Sequence, residues 1–293
     1  MRDFRVLVFG ASGLLGSNVI RFLEFNSITY FSTYSRVRSR PKDILFDASE
    51  LQKLDELVLE IKPNIIINCA GIADIEFCEK DIERCQKINY AFPIALAEIS
   101  SKYNIYFVNI GTDHFSTLIE QPRTETVDYI TVNNYAFSKM AAEKQISHLN
   151  QNALLVRTNF FSNSPTHPRS LFNWYLNKYK SGDYFYGYSD VIFTPISSRV
   201  LVESIFHLLS GRASGVINIV GSEIISKYHF GLLILEVGEL SKKLIRQGLI
   251  SDNSKLVARS NYLALDNSLY IKTTKNHFPT LKEMIKLELN NSF

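Results

Sequence analysis

Five short apolar runs mark the first 110 residues: Arg5–Phe9, Ile28–Tyr34, Ile44–Asp47, Asn64–Cys69 and Ile105–Ile110. Their apolar positions are nearly continuous, as in strands buried on both faces of a parallel sheet. Between them, Ser17–Phe25, Leu51–Ile61, Asp81–Tyr90 and a stretch opened by Pro93 and running to Tyr103 carry apolar residues at helical spacing. A further helix is expected over Ser138–Leu149. Strands alternating with helices at this spacing predict right-handed crossovers and a doubly wound parallel sheet of the α/β class. After Asn159 the period breaks at a turn-rich loop, Ser162–Pro168. Helices are then expected over Ser170–Lys180 and Ser198–Leu209, with a strand at 215–220 returning to the main sheet. Ser226 reads as an N-cap, the chain from Ser241 as polar and helical, and Pro279–Leu289 as a final amphipathic helix. The expected division is 1–160, with the strand near 215–220, and 161–293.

Composition and charge narrow the class. The chain has 293 residues, 46% hydrophobic and 21% charged, enough for a large core. A net charge of +3 without a long basic block argues against a nucleic-acid partner. Cys69, Cys78 and Cys85 have no zinc spacing and suggest a reducing compartment. The six histidines show no metal pairing, so no metal is expected. No apolar run approaches the roughly 18 residues of a membrane span, and the first strand begins without signal-peptide architecture. A cytoplasmic protein is expected.

The chemistry starts at Gly10-Ala-Ser-Gly13-Leu-Leu-Gly16, between the first strand and the first helix. One glycine allows a tight turn, one lets backbone approach a pyrophosphate, and one lets helix pack on strand, with the helix N-terminus facing the phosphates. A glycine-rich turn without a ligand has the same pattern. Where an acid would bind the ribose hydroxyl of NAD, the chain has Ser35-Arg36-Val-Arg38. Guanidinium groups suit a 2′-phosphate, so NADP(H) is favoured over NAD(H); the alternative is a solvated basic loop. Small residues, Ala70 and Gly71, follow the fourth run and leave room for a cofactor. Gly111-Thr112-Asp113 ends the fifth, where doubly wound sheets keep their chemistry. Tyr135 and Lys139 stand four apart and share one helix face. An ammonium beside the phenol would lower its pKa towards neutral use as an acid/base, although 15 tyrosines make such a spacing common by chance.

In this order, the glycine turn, Asn68-Cys-Ala-Gly71, Gly111-Thr-Asp-His-Phe115 and Tyr135-x-x-x-Lys139 resemble the extended short-chain dehydrogenase/reductase superfamily. Asn68–Glu79 with Ile88-Asn89, Val156-Arg-Thr158, Phe193–Ile196 and Arg259–Ser268 narrow the resemblance to its dTDP-4-dehydrorhamnose reductase-like, sugar-nucleotide group. It implies a Rossmann-type NADP-binding domain with a smaller C-terminal substrate-binding lobe. Tyr135 would be the proton donor, Lys139 the nicotinamide-ribose ligand, and Thr112 the hydroxyl on the reacting oxygen. Gly10, Ser12, Gly13, Leu14, Leu15 and Gly16 would form the pyrophosphate turn. Ser35, Arg36 and Arg38 would hold the 2′-phosphate, and Asp47 with Ala48 the adenine. Cys69, Ala70, Gly71 and Asn89 would line the cofactor's path, and Asp113, Asn159 and Phe160 would meet the substrate.

The chain departs from the group's pattern in several places. Gly111 replaces a Ser, His114 a Tyr, Thr131 a Pro, and Phe160-Phe161 occupy the region of a Trp. The aromatic change bears on which sugar fits. The resemblance implies an NADP(H)-dependent reductase of a nucleotide-activated 4-keto sugar in surface-polysaccharide synthesis, in which members are often homodimers. An epimerase or dehydratase shares the fold, but dehydratases carry Asp-Glu after the Thr, where this chain has Asp113-His114. A third reading is a non-catalytic NADP-binding scaffold, as with the methionine adenosyltransferase β subunit. The aromatics of Tyr184-Phe-Tyr-Gly-Tyr188 suit either a nucleotide or sugar face or ordinary packing.

Overall fold

The computed structural model describes residues 4–35, 43–167 and 170–290. Chain contacts divide it into two compact units, each discontinuous in sequence. The first comprises Met1–Thr112, Thr131–Arg157 and Ile205–Ile217; the second comprises Asp113–Ile130, Thr158–Ser204 and Asn218–Phe293. Relative to a cut after residue 160, segments 113–130, 158–160 and 205–217 change sides.

The first unit is built on a sheet with strands β1 (Arg5–Phe9), β2 (Thr29–Tyr34), β3 (Ile44–Leu45), β4 (Ile65–Asn68), β5 (Tyr106–Ile110) and β6 (Leu154–Arg157). These six pair in parallel in the order β6-β5-β4-β1-β2-β3, and Gly215–Asn218 lies beyond β6. The sheet is the doubly wound Rossmann type that the apolar runs predict. Val6, Leu7 and Val8 of β1 are fully buried, which explains their continuous apolar pattern. The strand order reverses between β1 and β4, which register Phe9 beside Asn68. Their carboxyl ends open side by side, where an open α/β sheet leaves a crevice.

Helices α1 (Leu14–Phe25), α2 (Leu54–Ile61), α3 (Ile75–Lys80) and α4 (Ile82–Gln86) follow. A π turn, Lys87–Ala91, then joins α4 to α5 (Phe92–Lys102), and α6 spans Asn134–Leu149. Helix α2 buries Leu54, Leu57, Val58 and Ile61, an i, i+3, i+4, i+7 stripe. Phe9 meets Phe46 and Phe92 edge to face, at ring-centroid distances of 5.4 and 5.3 Å.

Two expectations need correction. Helix α6 begins at Asn134, four residues before the expected Ser138, because Asn133 caps it by accepting the Ala136 N–H at 2.8 Å. Tyr135 is therefore in its first turn. The chain after Ser241 is not a long helix. Ile245–Gly248 is a strand paired in parallel with Phe185–Tyr188, flanked by 3-10 turns at Lys242–Leu244 and Ile250–Asp252. Burial of Ile245, with Arg246 and Gln247 exposed, gives the pairing its one apolar anchor.

The second unit has an aromatic interior. Phe161 stacks on Phe172 at 5.6 Å and meets Phe230 at 5.1 Å, and Phe193 meets Phe230 at 5.4 Å. Ser226 caps Lys227–Val237 as expected, accepting the His229 N–H at 3.2 Å. The last helix, Leu281–Leu289, opens with a Thr280/Glu283 capping box. Its Glu288 is buried and accepts from the Ser197 hydroxyl at 2.6 Å, the Ser162 hydroxyl at 3.1 Å and the Asn163 N–H at 2.9 Å.

Candidate active site

The turn after β1 is shaped by its glycines. Gly10 has φ +74°, and a Cβ there would lie 2.5 Å from the Ala70 amide nitrogen, so only glycine fits where the β1 and β4 ends converge. A Cβ on Gly16 would run into the Gly10 carbonyl oxygen, which is how α1 seats against the turn. Helix α1 starts at Leu14, and its N-cap Gly13 supplies no side-chain cap, so its first N–H groups remain for an anion. A cleft of about 740 Å³ opens here, lined among others by Gly10, Ser12, Ser35, Asp47, Ala70 and Gly71. Uncapped helix N–H groups, a glycine turn and this volume fit a dinucleotide.

In the same unit, the Tyr135 hydroxyl donates to the Thr112 hydroxyl at 3.2 Å. One turn on, the Lys139 ammonium donates to the Ile110 carbonyl at 2.6 Å. All three side chains are buried. Burial lowers the Lys139 pKa to about 8, while the charge of Glu143 opposes the fall. A Cβ on Gly71 would lie 3.8 Å from the Lys139 ammonium and 3.4 Å from the Asn89 amide oxygen, so the loop after β4 runs alongside the lysine. Asn89 holds that loop by both amide ends, accepting the Ile72 N–H at 2.8 Å and donating to the Ile72 carbonyl at 2.9 Å. Glu79 accepts the Asn134 N–H at 2.6 Å, placing a carboxylate at the positive end of α6.

In the second unit, the Asp113 carboxylate accepts a hydrogen bond from the Asn159 amide. Burial raises the Asp113 pKa to about 6, against the pull of that bond and of Lys227. His114 is pushed down to about 3 by burial and by the charges of Lys227, Arg259 and Arg123, so it is neutral at ordinary pH. Arg123 is buried; it donates to the Asp113 carbonyl at 3.1 Å and the Ser260 hydroxyl at 3.0 Å, and its guanidinium lies 4.8 Å over the Phe115 ring.

The model of the family described as RmlD substrate binding domain matches residues 4–292. The chain belongs to the RmlD substrate binding domain family. The match covers the dTDP-4-dehydrorhamnose reductase-like group that the motifs resemble. A probable low-salt glycan biosynthesis reductase of Haloferax volcanii is 26% identical over 267 residues, covering 89% of each chain. The Escherichia coli dTDP-4-dehydrorhamnose reductase is 27% identical over 157 residues, 53% of this chain and 50% of that one. The Bacillus anthracis dTDP-4-dehydrorhamnose reductase, solved in complex with NADP, superposes with a TM-score of 0.88 at 20% identity, over 99% of this chain and 100% of that one. That last likeness is one of fold.

The expected residues fall into distinct groups in the structure. Gly10, Ser12, Ser35, Asp47, Ala48, Ala70 and Gly71 line one cleft. Thr112 and Tyr135 are bonded to each other, with Lys139 one turn away. Leu15 and Gly16 are buried in α1, and Gly13 precedes it with Leu14 as its first residue. Cys69 donates its N–H to the Phe9 carbonyl at 2.9 Å, and burial raises its thiol to about 12. The Asn89 side chain is engaged with the Ile72 backbone. Asp113 and Asn159 are bonded together; Phe160 is half-buried on a two-residue strand beside Ile196–Ser197. Arg36 and Arg38 lie outside the described residues. The sequence assigns no site role to Glu143, Arg123, the α4 face that lines the cleft, or Arg157, which enters there only within the Val156–Thr158 motif. A lone charged residue in a helix or loop carries no sign of its burial. No helix among the described residues is long and apolar enough to cross a membrane.

Proposed function

We propose that the chain is an NADP(H)-dependent reductase of a nucleotide-activated 4-keto sugar, serving the synthesis of a cell-surface or secreted glycan. Its enzyme class, an NAD(P)-dependent oxidoreductase, follows from its family. The observation that carries the reading is the Tyr135–Thr112 hydrogen bond, with the Lys139 ammonium one helical turn away. When bound, NADPH supplies a hydride to the carbonyl carbon. Tyr135 gives its phenolic proton to the oxygen that becomes the alcohol, and Thr112 donates to the same oxygen and fixes its position. Lys139, buried yet charged below about pH 8, stabilises the phenolate that Tyr135 leaves behind. Its bond to the Ile110 carbonyl ties the ammonium to the end of β5.

Residues Gly10, Gly13 and Ser12 would hold the pyrophosphate on the α1 N-terminus, with Asp47 and Ala48 at the adenine end of the cleft. Arg36 and Arg38 would favour NADPH over NADH. Asp113 and Asn159 would meet hydroxyls of the sugar. The cysteine usage supports a cytoplasmic setting, and the family resemblance supports a homodimer.

The test is NADPH consumption with a dTDP-4-keto-6-deoxysugar and with its UDP counterpart, on the wild type and on Tyr135→Phe. Substrate-dependent loss of NADPH that Tyr135→Phe abolishes supports the reading. Sugar conversion without net NADPH loss would mean an epimerase. Tight NADPH binding with no turnover on either sugar would mean a scaffold.

A further inference from the structure

We infer that Arg84 is a stacking platform for the adenine ring of the cofactor, an assignment that rests on the NADP(H) reading above. Arg84 lies on α4, just before the π turn Lys87–Ala91. Such a turn accommodates an extra residue, and π turns recur at functional sites. Here Arg84, Lys87 and Ile88 all line the cleft, while Cys85 and Asn89 are buried behind them. The same residues that present Arg84 to the cleft thus carry the Asn89 clamp on Ile72.

The charges around Arg84 are already committed. Lys87 pairs with Glu83 at 2.9 Å, and the Asp81 carboxylate accepts the Arg84 main-chain N–H at 3.0 Å. The Arg84 guanidinium has no carboxylate partner among the described residues. It rests 5.8 Å from the centroid of the Phe77 ring, which also lines the cleft. Asp81, Glu83, Arg84 and Lys87 sum to no net charge, so this wall has little to offer a dianionic phosphate. A flat guanidinium beside Phe77, in a cleft that Ile88 also lines, suits a flat, neutral ring. Tyr34, Asp47 and Ala48 also line this cleft, together with Phe46 and Phe92 of the aromatic trio. Apolar rings joined by one planar cation make a purine site rather than a phosphate site.

The experiment is calorimetric titration of the full chain with NADPH, NADH and 5′-AMP, on the wild type, Arg84→Ala and Arg84→Lys. Arg84 is exposed, so neither variant should lose its fold, and a thermal melt checks this. Arg84→Ala should weaken all three ligands by a common factor of about 3–10, leaving the NADPH/NADH ratio unchanged. Arg84→Lys should restore only part, because an ammonium lacks the plane. A loss confined to NADPH would overturn the assignment in favour of a phosphate contact. Unchanged affinities would overturn it in favour of a solvated side chain. If the wild type binds none of the three ligands, the cofactor reading itself fails.

Discussion

Arg157 grips the Glu143 carboxylate inside the first unit, with its Nε 3.0 Å from Oε2 and its Nη2 2.7 Å from Oε1. Glu143 stands one turn beyond Lys139 on α6, and its charge counters the burial that lowers the lysine's pKa. Glu143→Gln leaves a buried guanidinium without its counter-charge, and the expected loss is about 3–5 kcal/mol of stability. The double variant Glu143→Met/Arg157→Met should recover most of that loss in urea denaturation. If Glu143→Gln alone unfolds at the wild-type midpoint, the pair is not the structural tie described.

Lys139 sets an alkaline limit. Its folded pKa of about 8 lies below the 10.5 of the free side chain, so between those values the folded protein holds fewer protons than the unfolded chain. Stability from this group therefore rises with pH across that window and is least below about 8. Activity runs the opposite way, because deprotonation removes the charge that supports the Tyr135 phenolate. The rate should fall with an apparent pKa near 8, and Lys139→Arg should move that limb upward while lowering the plateau. A rate that stays flat to well above pH 8 would remove the ammonium from the mechanism.

Tyr135→Phe deletes the proton donor and should lower kcat by about 10²–10⁴ while NADPH affinity holds. Thr112→Val should cost less, since it removes a donor to the oxygen but no proton. Equal losses of NADPH binding in both variants would point to a collapsed site instead of missing chemistry.

Gly111 occupies a position where the family resemblance leads one to expect Ser. A Cβ there would stand 3.0 Å from the Val156 carbonyl oxygen and 3.7 Å from Glu143 Oε2. Gly111 also donates its N–H to that same carbonyl at 2.6 Å, so the two strands have little room to separate. Gly111→Ser should lower stability by about 1–2 kcal/mol, read as a fall in Tm. An unchanged Tm would show that β5 and β6 give way easily at this point.

What the sequence disclosed depended on how local the cause was. Strands β1, β4 and β5 were legible because each is buried on both faces and so reads as an unbroken apolar run. The Gly10–Gly16 turn was legible because steric exclusion acts on single residues. The start of α6 lies four residues before the expected Ser138 because Glu79, 55 residues from Asn134, accepts both the Asn134 N–H and its side-chain amide beside the Asn133 cap. The strand Phe185–Tyr188 alternates, with Phe185 buried and Tyr184 and Tyr186 exposed, yet its partner Ile245–Gly248 is mostly polar and gave no sign of pairing. Arg84 and the π turn left no trace in composition or period, since a bulge is decided by what packs around it.

The first unit is threaded from three stretches of chain, and one edge of its sheet comes last. Gly215–Asn218 lies beside β6, so until residue 218 has been synthesised that strand presents an open row of backbone donors and acceptors. Two pieces of the second unit are made in the meantime. A nascent chain stalled or cut before this point would carry the glycine turn, the tyrosine and the lysine, and still expose a sticky border to its neighbours on the ribosome.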